Sequence, residues 1–321
     1  LGLSRDAWRK ASLPPGRVER LAELRDGEAA RREIERCRAA GIRLVTHGRP
    51  DYPASLLTLP QPPVLLCVRG RWPTPEHALA IVGSRAATAY GRQATERLAG
   101  AAADEGFPIV SGLARGIDRY ALMAALDAGG WPIAVLGNGI DVAYPSEHRE
   151  LQETIARRGT LISEFPLGTR PTRFTFPRRN RIIAALACAV LVVEAGRRSG
   201  ALITAGFALD LAREVLAVPG PIDSVQSQGT NRLIFDGAHP VIDVQSLLLP
   251  LGCSGRDATE SPRPSHPLLA ALGNRVLDVD ELARATGTDV RSTRSALIAL
   301  ELSGQVRRVD GGRYAARRTS S

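Results

Sequence analysis

The 321-residue chain is poor in the residue patterns that build metal centres, disulfide frameworks and membrane spans. Its four cysteines (Cys37, Cys67, Cys188, Cys253) are widely spaced and form no C-x-x-C pair. Neither a metal site nor a disulfide scaffold is therefore expected, and the chain reads as one for a reducing cytoplasm. Its five histidines form no H-E-x-x-H or related cluster. No apolar run approaches the roughly 20 residues a membrane helix needs. The longest, Ile182–Ala195, is shorter and contains Glu194, and the first 40 residues lack the continuous apolar core of a secretory signal. Also missing are G-x-G-x-x-G after the first regular strand, G-x-x-x-x-G-K-[ST] and G-x-S-x-G. A dinucleotide cofactor, a P-loop nucleotide and a nucleophile-elbow serine are disfavoured, and no cofactor or metal is expected.

What the chain has is arginine. The formal charge is +9, and Lys10 is the sole lysine among 42 basic residues. Residues 1–50 carry 12 basic and 7 acidic side chains, residues 51–250 carry 19 and 18, and residues 265–321 carry 9 and 6. The middle section is nearly neutral, yet its arginines cluster, which points to a local anion site more than to a generally basic surface. The densest stretch, Arg170–Gly200, opens with Arg170, Arg173, Arg178, Arg179 and Arg181 interleaved with Phe174 and Phe176. Cations beside aromatics suit a polyanion whose bases can stack, namely single-stranded nucleic acid. An arginine-rich surface loop with core phenylalanines is the other reading of the same residues.

Apolar spacing predicts short helices over residues 1–45, with Glu28–Ala40 ended by Gly41. From Ala78 onward, short β-branched runs alternate with Ala/Leu-rich helices. The strands read as Val64–Val68, Ala80–Val82, Ile109–Val110, Ile133–Leu136, Leu161–Ser163, Val190–Val193, Val215–Val218 and Val241–Ile242. Near-continuous apolar strands are buried on both faces, so the expected fold is α/β, a Rossmann-like doubly wound, mostly parallel sheet. The division read from the sequence is 1–50 small helical domain, 51–250 sheet domain, 251–264 linker and 265–321 C-terminal domain. Three short helices (Pro267–Leu272, Val279–Thr286, Val290–Leu302) followed by a Gly311-Gly312 hairpin make the last a winged helix.

Ligands of such sheets bind beyond the carboxyl ends of the strands. There the sequence places Gly83-Ser84-Arg85, then Ser111-Gly112-Leu113-Ala114-Arg115-Gly116, then Phe176 with Arg178, Arg179, Asn180 and Arg181, and finally Arg197-Arg198-Ser199-Gly200. Glycine backbone can approach phosphate oxygens and arginine can pair with them. Asn180 and Ser199 are equally readable as a loop staple and a helix cap. Phe176, followed by Pro177 and polar residues, is the better stacking candidate, whereas Phe174 reads equally as a ring that plugs the domain. Glu164 and Glu194 end strands in the same crevice and read either as acid–base groups or as carboxylates that orient arginine. On the winged helix, Arg291, Arg294 and the wing arginines leave a duplex DNA contact and a purely structural module side by side.

The order of motifs resembles the bacterial DNA-processing protein A (DprA, also called Smf) family along essentially the whole chain. The carriers are Asp51-Tyr52-Pro53, Ile81-Val82-Gly83-Ser84-Arg85, Ser111–Asp118, Gly139-Ile140-Asp141, Tyr144-Pro145, Ser163-Glu164, Phe176–Ile183, Val193-Glu194-Ala195, Ser199–Ala205, Val218-Pro219-Gly220 and Gly237-Ala238. The resemblance implies a SAM-like helical domain in front of the Rossmann-like domain and a non-catalytic protein that binds and protects single-stranded DNA. It also implies a homodimer that loads RecA recombinase in natural transformation and recombination, with Gly83–Arg85, Ser111–Gly116 and Phe176–Arg181 on the DNA; Ser199 and Gly200 are added to these as DNA-binding candidates from their place on the same edge. Three positions depart from the family pattern: Leu122 where a histidine is usual, His148 for asparagine and Ala201 for serine. Two other functions compete with this one. The first is a nucleotide-processing enzyme, although Gly229-Thr230-Asn231-Arg232-Leu233 lacks the glutamate of the related P-G-G-x-G-T-x-x-E motif. The second is a duplex-binding regulator acting through the winged helix.

Overall fold

The structure is a computed structural model in which residues 27–73, 77–252, 267–272, 276–302, 306–309 and 313–316 are described. They belong to two compact units, Leu1–Cys253 and Ser254–Ser321. Residues 17–25, read as a helix, and 253–264 of the expected linker lie outside the described residues.

The first unit is built on one nine-stranded sheet. Its strands are β1 (Arg43–Thr46), β2 (Leu65–Gly70), β3 (Ala78–Val82), β4 (Ile109–Ser111), β5 (Pro132–Leu136), β6 (Thr160–Ser163), β7 (Ala187–Val192), β8 (Glu214–Ala217) and β9 (His239–Pro240), in the order β1-β2-β6-β5-β4-β3-β7-β8-β9. The seven strands from β6 to β9 are parallel, and β2 and β1 extend the β6 edge antiparallel. All five residues of β3 and of β5 are buried, as expected for strands covered on both faces.

Side chains alternate between two cores because successive strand residues point to opposite faces. Ala78, Ala80 and Val82 face one core with Ile182, Ile183, Ala201 and Ala205. Leu79 and Ile81 face the other with Leu98, Ala102, Ala121 and Ala125. The helices are therefore divided between the two faces: α5 (Thr175–Leu186) and α6 (Gly200–Asp210) on one, α2 (Ala89–Asp104) and α3 (Ile117–Asp127) on the other. The remaining helices of this unit are α1 (Glu28–Ala39), α4 (Arg149–Arg158), α7 (Gln228–Phe235) and α8 (Val244–Leu248). Among the described residues no helix is long and apolar enough to cross a membrane.

Two sequence expectations are corrected. Residues 43–46, read as part of the leading helices, form edge strand β1: Gly41, at φ +65°, stops α1, and Val45 then inserts into the sheet core. The last strand is His239–Pro240 rather than Val241–Ile242. The Ile242 amide is instead drawn to Ser246 Oγ (2.9 Å) at the cap of α8, leaving its side chain 75% exposed.

The second unit has α9 (Pro267–Leu272), α10 (Val279–Thr286) and α11 (Val290–Leu302), then β11 (Val306–Val309) and β12 (Arg313–Ala316), with a short β10 (Val276–Leu277) that completes a β10-β12-β11 sheet. Asp278 and Glu281 form a capping box at the start of α10, and Gly287 ends that helix at φ +68°. Leu268, Leu282, Leu297, Leu300 and Tyr314 share one core. The three helices and the hairpin of a winged helix are present as the sequence predicts.

Ile81 is fully buried at the centre of the sheet. Ile81→Ala should cost about 2–5 kcal/mol in chemical denaturation, whereas Ile242→Ala should stay within about 0.5 kcal/mol.

Candidate functional site

The chain runs outward from β3 through β4 and β5 to β6, then α5 carries it back so that β7 pairs with the other side of β3. The loops after β3 and β7 consequently diverge, leaving an opening at the carboxyl edge. A crevice of about 780 Å³ lies there. Gly83, Ser84 and Arg85 line it after β3, Ala114 from the β4 loop, Asp118 from the first turn of α3, Arg173 from just before α5, and Phe176, Arg179 and Asn180 from the start of α5. Arg197, Arg198, Ser199, Gly200 and Thr204 close the side that follows β7.

The loops are held by close packing and hydrogen bonds. Gly116 has φ +73°, and a Cβ there would lie 2.2 Å from the Ser84 carbonyl oxygen, which accepts from the Ile117 amide at 3.1 Å. Ser84 Oγ accepts from the Ala86 amide (3.1 Å) and donates to Gln226 Oε1 (3.0 Å). Ser111 Oγ donates to the Ile81 carbonyl (2.6 Å), tying β4 to β3. Glu194 accepts from both the amide (3.0 Å) and hydroxyl (2.5 Å) of Thr88, fixing the start of α2 to the end of β7. Leu113 is fully buried at φ +54°, with its carbonyl 3.0 Å from His148 Nδ1. Ser111 and Leu113, both placed on the DNA by the resemblance, thus face the protein interior. Asn180 Nδ2 donates to the Gly200 carbonyl (3.3 Å), and Ser199 Oγ accepts from the Ala201 amide (3.3 Å). Both staple the rim.

The arginines sort into three groups. Arg179 is buried on the inner face of α5, in the i, i+3, i+4, i+7 register of Ile182, Ile183 and Leu186. Its guanidinium donates to the carbonyls of Gly112 (2.7 Å) and Val135 and to Asn180 Oδ1 (3.2 Å). Burial pulls its pKa down to about 10, with Asp118 acting in the opposite direction, so it remains cationic near neutrality. Asp118, also buried, is pushed above the usual carboxylate range by desolvation, which Arg179 and the Ala114 and Gly112 amides counter. Arg179 is therefore a buried support and its guanidinium is taken up by protein groups.

The second group is ion-paired. Arg181, only 14% exposed, donates to Glu164 (2.5 Å) and the Gln61 carbonyl (2.8 Å). Arg178 reaches the same carboxylate at 3.2 Å but is 63% exposed. Arg115 pairs with Glu147 at 2.5 Å in solvent, an arrangement worth little because both groups are hydrated. The third group, Arg85, Arg173, Arg197 and Arg198, is exposed, lines the crevice and has no ion pair among the described residues. The sequence placed Arg173 in the arginine cluster and Arg197 and Arg198 in the turn after the strand Val190–Val193, but assigned none of the three a DNA contact.

The aromatics also separate. Phe176 is half-buried at the crevice wall, 5.5 Å from the Tyr144 ring and 5.0 Å from the Arg85 guanidinium. A Cβ on Gly137 would lie 2.8 Å from its ring, so glycine is needed to seat it. Of the two readings open for Phe174, packing is excluded: the ring is 71% exposed. Tyr144, Asp118 and Gln226 are crevice residues missing from the sequence candidates. The first two had a signal in the Tyr144-Pro145 and Gly116-Ile117-Asp118 motifs; Gln226 had none. Leu122 is fully buried core, and Ala201 is buried under the α6 cap.

Arg179→Met should cost about 3–5 kcal/mol in denaturant titration, because it leaves the buried Gly112 and Val135 carbonyls without their donor and removes the cation that counters the desolvation of Asp118. Adding Asp118→Asn should recover part of that loss, and Arg85→Ala should leave stability within about 0.5 kcal/mol.

Comparison with known proteins agrees with this architecture. Residues 43–251, from the first residue of β1, match the family described as DNA recombination-mediator protein A, and residues 254–312 match the DprA winged helix domain. Protein Smf of Escherichia coli (strain K12) is 40% identical over 286 residues, which is 83% of this chain and 75% of that protein. The X-ray structure of DNA processing protein A from Streptococcus pneumoniae superposes with a TM-score of 0.61 at 40% identity, over 65% of this chain and 74% of the other. The Helicobacter pylori DNA processing protein A structure, described for its single-stranded DNA binding mode, gives a TM-score of 0.58 at 30% identity over 65% and 95%. With the nine-stranded sheet and the winged helix both matched in order, the chain belongs to the DNA recombination-mediator protein A family.

Proposed function

We propose that the crevice holds single-stranded DNA without cutting it. The observation that carries this reading is the set Arg85, Arg173, Arg197 and Arg198, four exposed cations with no ion pair among the described residues that line one opening beside the half-buried Phe176 ring. Such cations neutralise phosphates, and an accessible ring accepts any base. The Gly83 and Gly200 backbone and the start of α6 add close-approach amides on the same rim. The description of the Helicobacter pylori relative as a single-stranded DNA binder points the same way.

A non-catalytic role is favoured by where the carboxylates stand. Glu164 is held by Arg178 and Arg181, Glu194 by Thr88, and Asp118 by backbone amides, so each already serves the protein. Following the family, the held strand is protected and passed by a homodimer to RecA recombinase during transformation and recombination. A duplex contact by the winged helix is a second reading. It is favoured by α11, which exposes Arg291, Arg294 and Ser295 and carries no acid before Glu301.

Arg85→Ala should weaken binding of a single-stranded oligonucleotide about tenfold, the worth of one charge-assisted hydrogen bond. It should also make the salt dependence of log K shallower by about 0.7 for each phosphate left without its cation. Titration across salt, with duplex of the same sequence alongside, checks both. Unchanged affinity and slope would place the DNA elsewhere.

A further inference from the structure

Phe174 differs from most apolar side chains in that folding leaves it in water. A phenyl ring gains stabilisation by leaving solvent, yet this one is 71% exposed. It does not sit on a loose tip. Thr172 Oγ1 accepts from the amides of Phe174 and Thr175 (both 3.3 Å), and Thr175 Oγ1 accepts from the Thr172 amide and donates to the Thr172 carbonyl (both 3.0 Å). The turn holds the ring in place at the start of α5. The Arg173 guanidinium lies 4.8 Å from the ring centroid and also lines the crevice, so one cation joins the ring to the site. No acidic residue occurs anywhere from 165 to 193.

Phe235 is the informative contrast. It is also exposed and has an arginine over its ring, Arg232 at 5.0 Å. Arg232, however, is ion-paired with Asp236 at 2.8 Å, so that ring sits beside a neutralised pair. Phe174 sits beside a cation with no ion pair among the described residues, at the mouth of a cationic crevice. Apolar face and free positive charge together match a nucleotide, which offers a base to stack and a phosphate to pair. An apolar protein side chain would use the ring and leave the arginine without an anion.

We infer that Phe174, with Arg173, is a second base-stacking platform just outside the crevice, taking the nucleotide next to those held inside. This rests on the single-stranded DNA reading. Phe174 and Phe176 are two residues apart, so their α-carbons are separated by at most about 7 Å, and the rings serve neighbouring nucleotides. The outer ring adds length to the bound segment and selects flexible strands, because bases locked in a duplex cannot splay onto it.

The test uses the full chain with oligothymidylates of increasing length and two variants, Phe174→Ala and Phe174→Trp. For the wild-type protein, affinity should rise as the strand grows long enough to reach the outer ring. Phe174→Ala should remove that rise, a loss of about fivefold or more for the longer strands, with the shortest binding strand and the melting temperature unchanged. Phe174→Trp should keep the rise and acquire emission, over the wild-type background, that the longer strands quench. Equal affinity of wild type and Phe174→Ala at every length, or unquenched emission in Phe174→Trp, overturns the platform while leaving the crevice reading intact. Failure of the wild-type chain to bind any strand overturns both.

Discussion

Arg179 carries a full charge into the interior where α5, β4 and β5 meet, and much of the surrounding geometry answers the cost of putting it there. Removing a guanidinium from water costs several kcal/mol unless its donors and charge are matched. The match here comes from the Gly112 and Val135 carbonyls, the Asn180 side chain and the facing Asp118. A Cβ on Gly112 would lie 2.5 Å from a guanidinium nitrogen, so any larger residue there would have to displace Arg179 and Asp118. Asp118 in turn takes the Gly112 and Ala114 amides, so one buried ion sets the path of the loop that floors the crevice.

That arrangement explains how a nearly neutral section carries a strongly cationic opening. Arginines whose side chains face protein are matched by Glu164, Asp118 or backbone carbonyls and add little field outside. Those on the diverging loops at the switch point have no ion pair among the described residues, and low-dielectric walls concentrate their potential in the crevice. A single residue type therefore does two jobs, decided by which side of α5 or of a loop it occupies. The same holds for the aromatics, since Phe176 is seated against Gly137 and Tyr144 while Phe174, two residues away, faces solvent.

Legibility followed physical strength of signal. Strands β3, β5 and β7 could be read because burial on both faces demands an unbroken apolar run. Edge strand β1 could not, since only Val45 of its four residues is fully buried, which leaves a pattern too weak to oppose the preceding helix. Arg179 had a signal that the dense Arg178–Arg181 run obscured: its spacing to Ile182, Ile183 and Leu186 marks the inner face of a helix. Ser111 and Leu113 looked like ligand contacts because they sit in a motif at a strand end, yet hydrogen bonding turns one inward and core packing the other.

The sequence by itself determined the α/β alternation, the winged-helix pattern and the clustering of glycine and arginine at strand ends, because these rest on local periodicity and chain order. Tertiary structure alone decided which cations stay free. That outcome depends on Glu164, Glu147 and Asp118 being brought beside Arg181, Arg115 and Arg179 from distant parts of the chain. The Arg170–Gly200 stretch is accordingly not a uniform basic arm. Its inner arginines hold the crevice together, and Arg173, Arg197 and Arg198 supply its open charge, because charge pairing is settled by contacts in space and not by position along the chain.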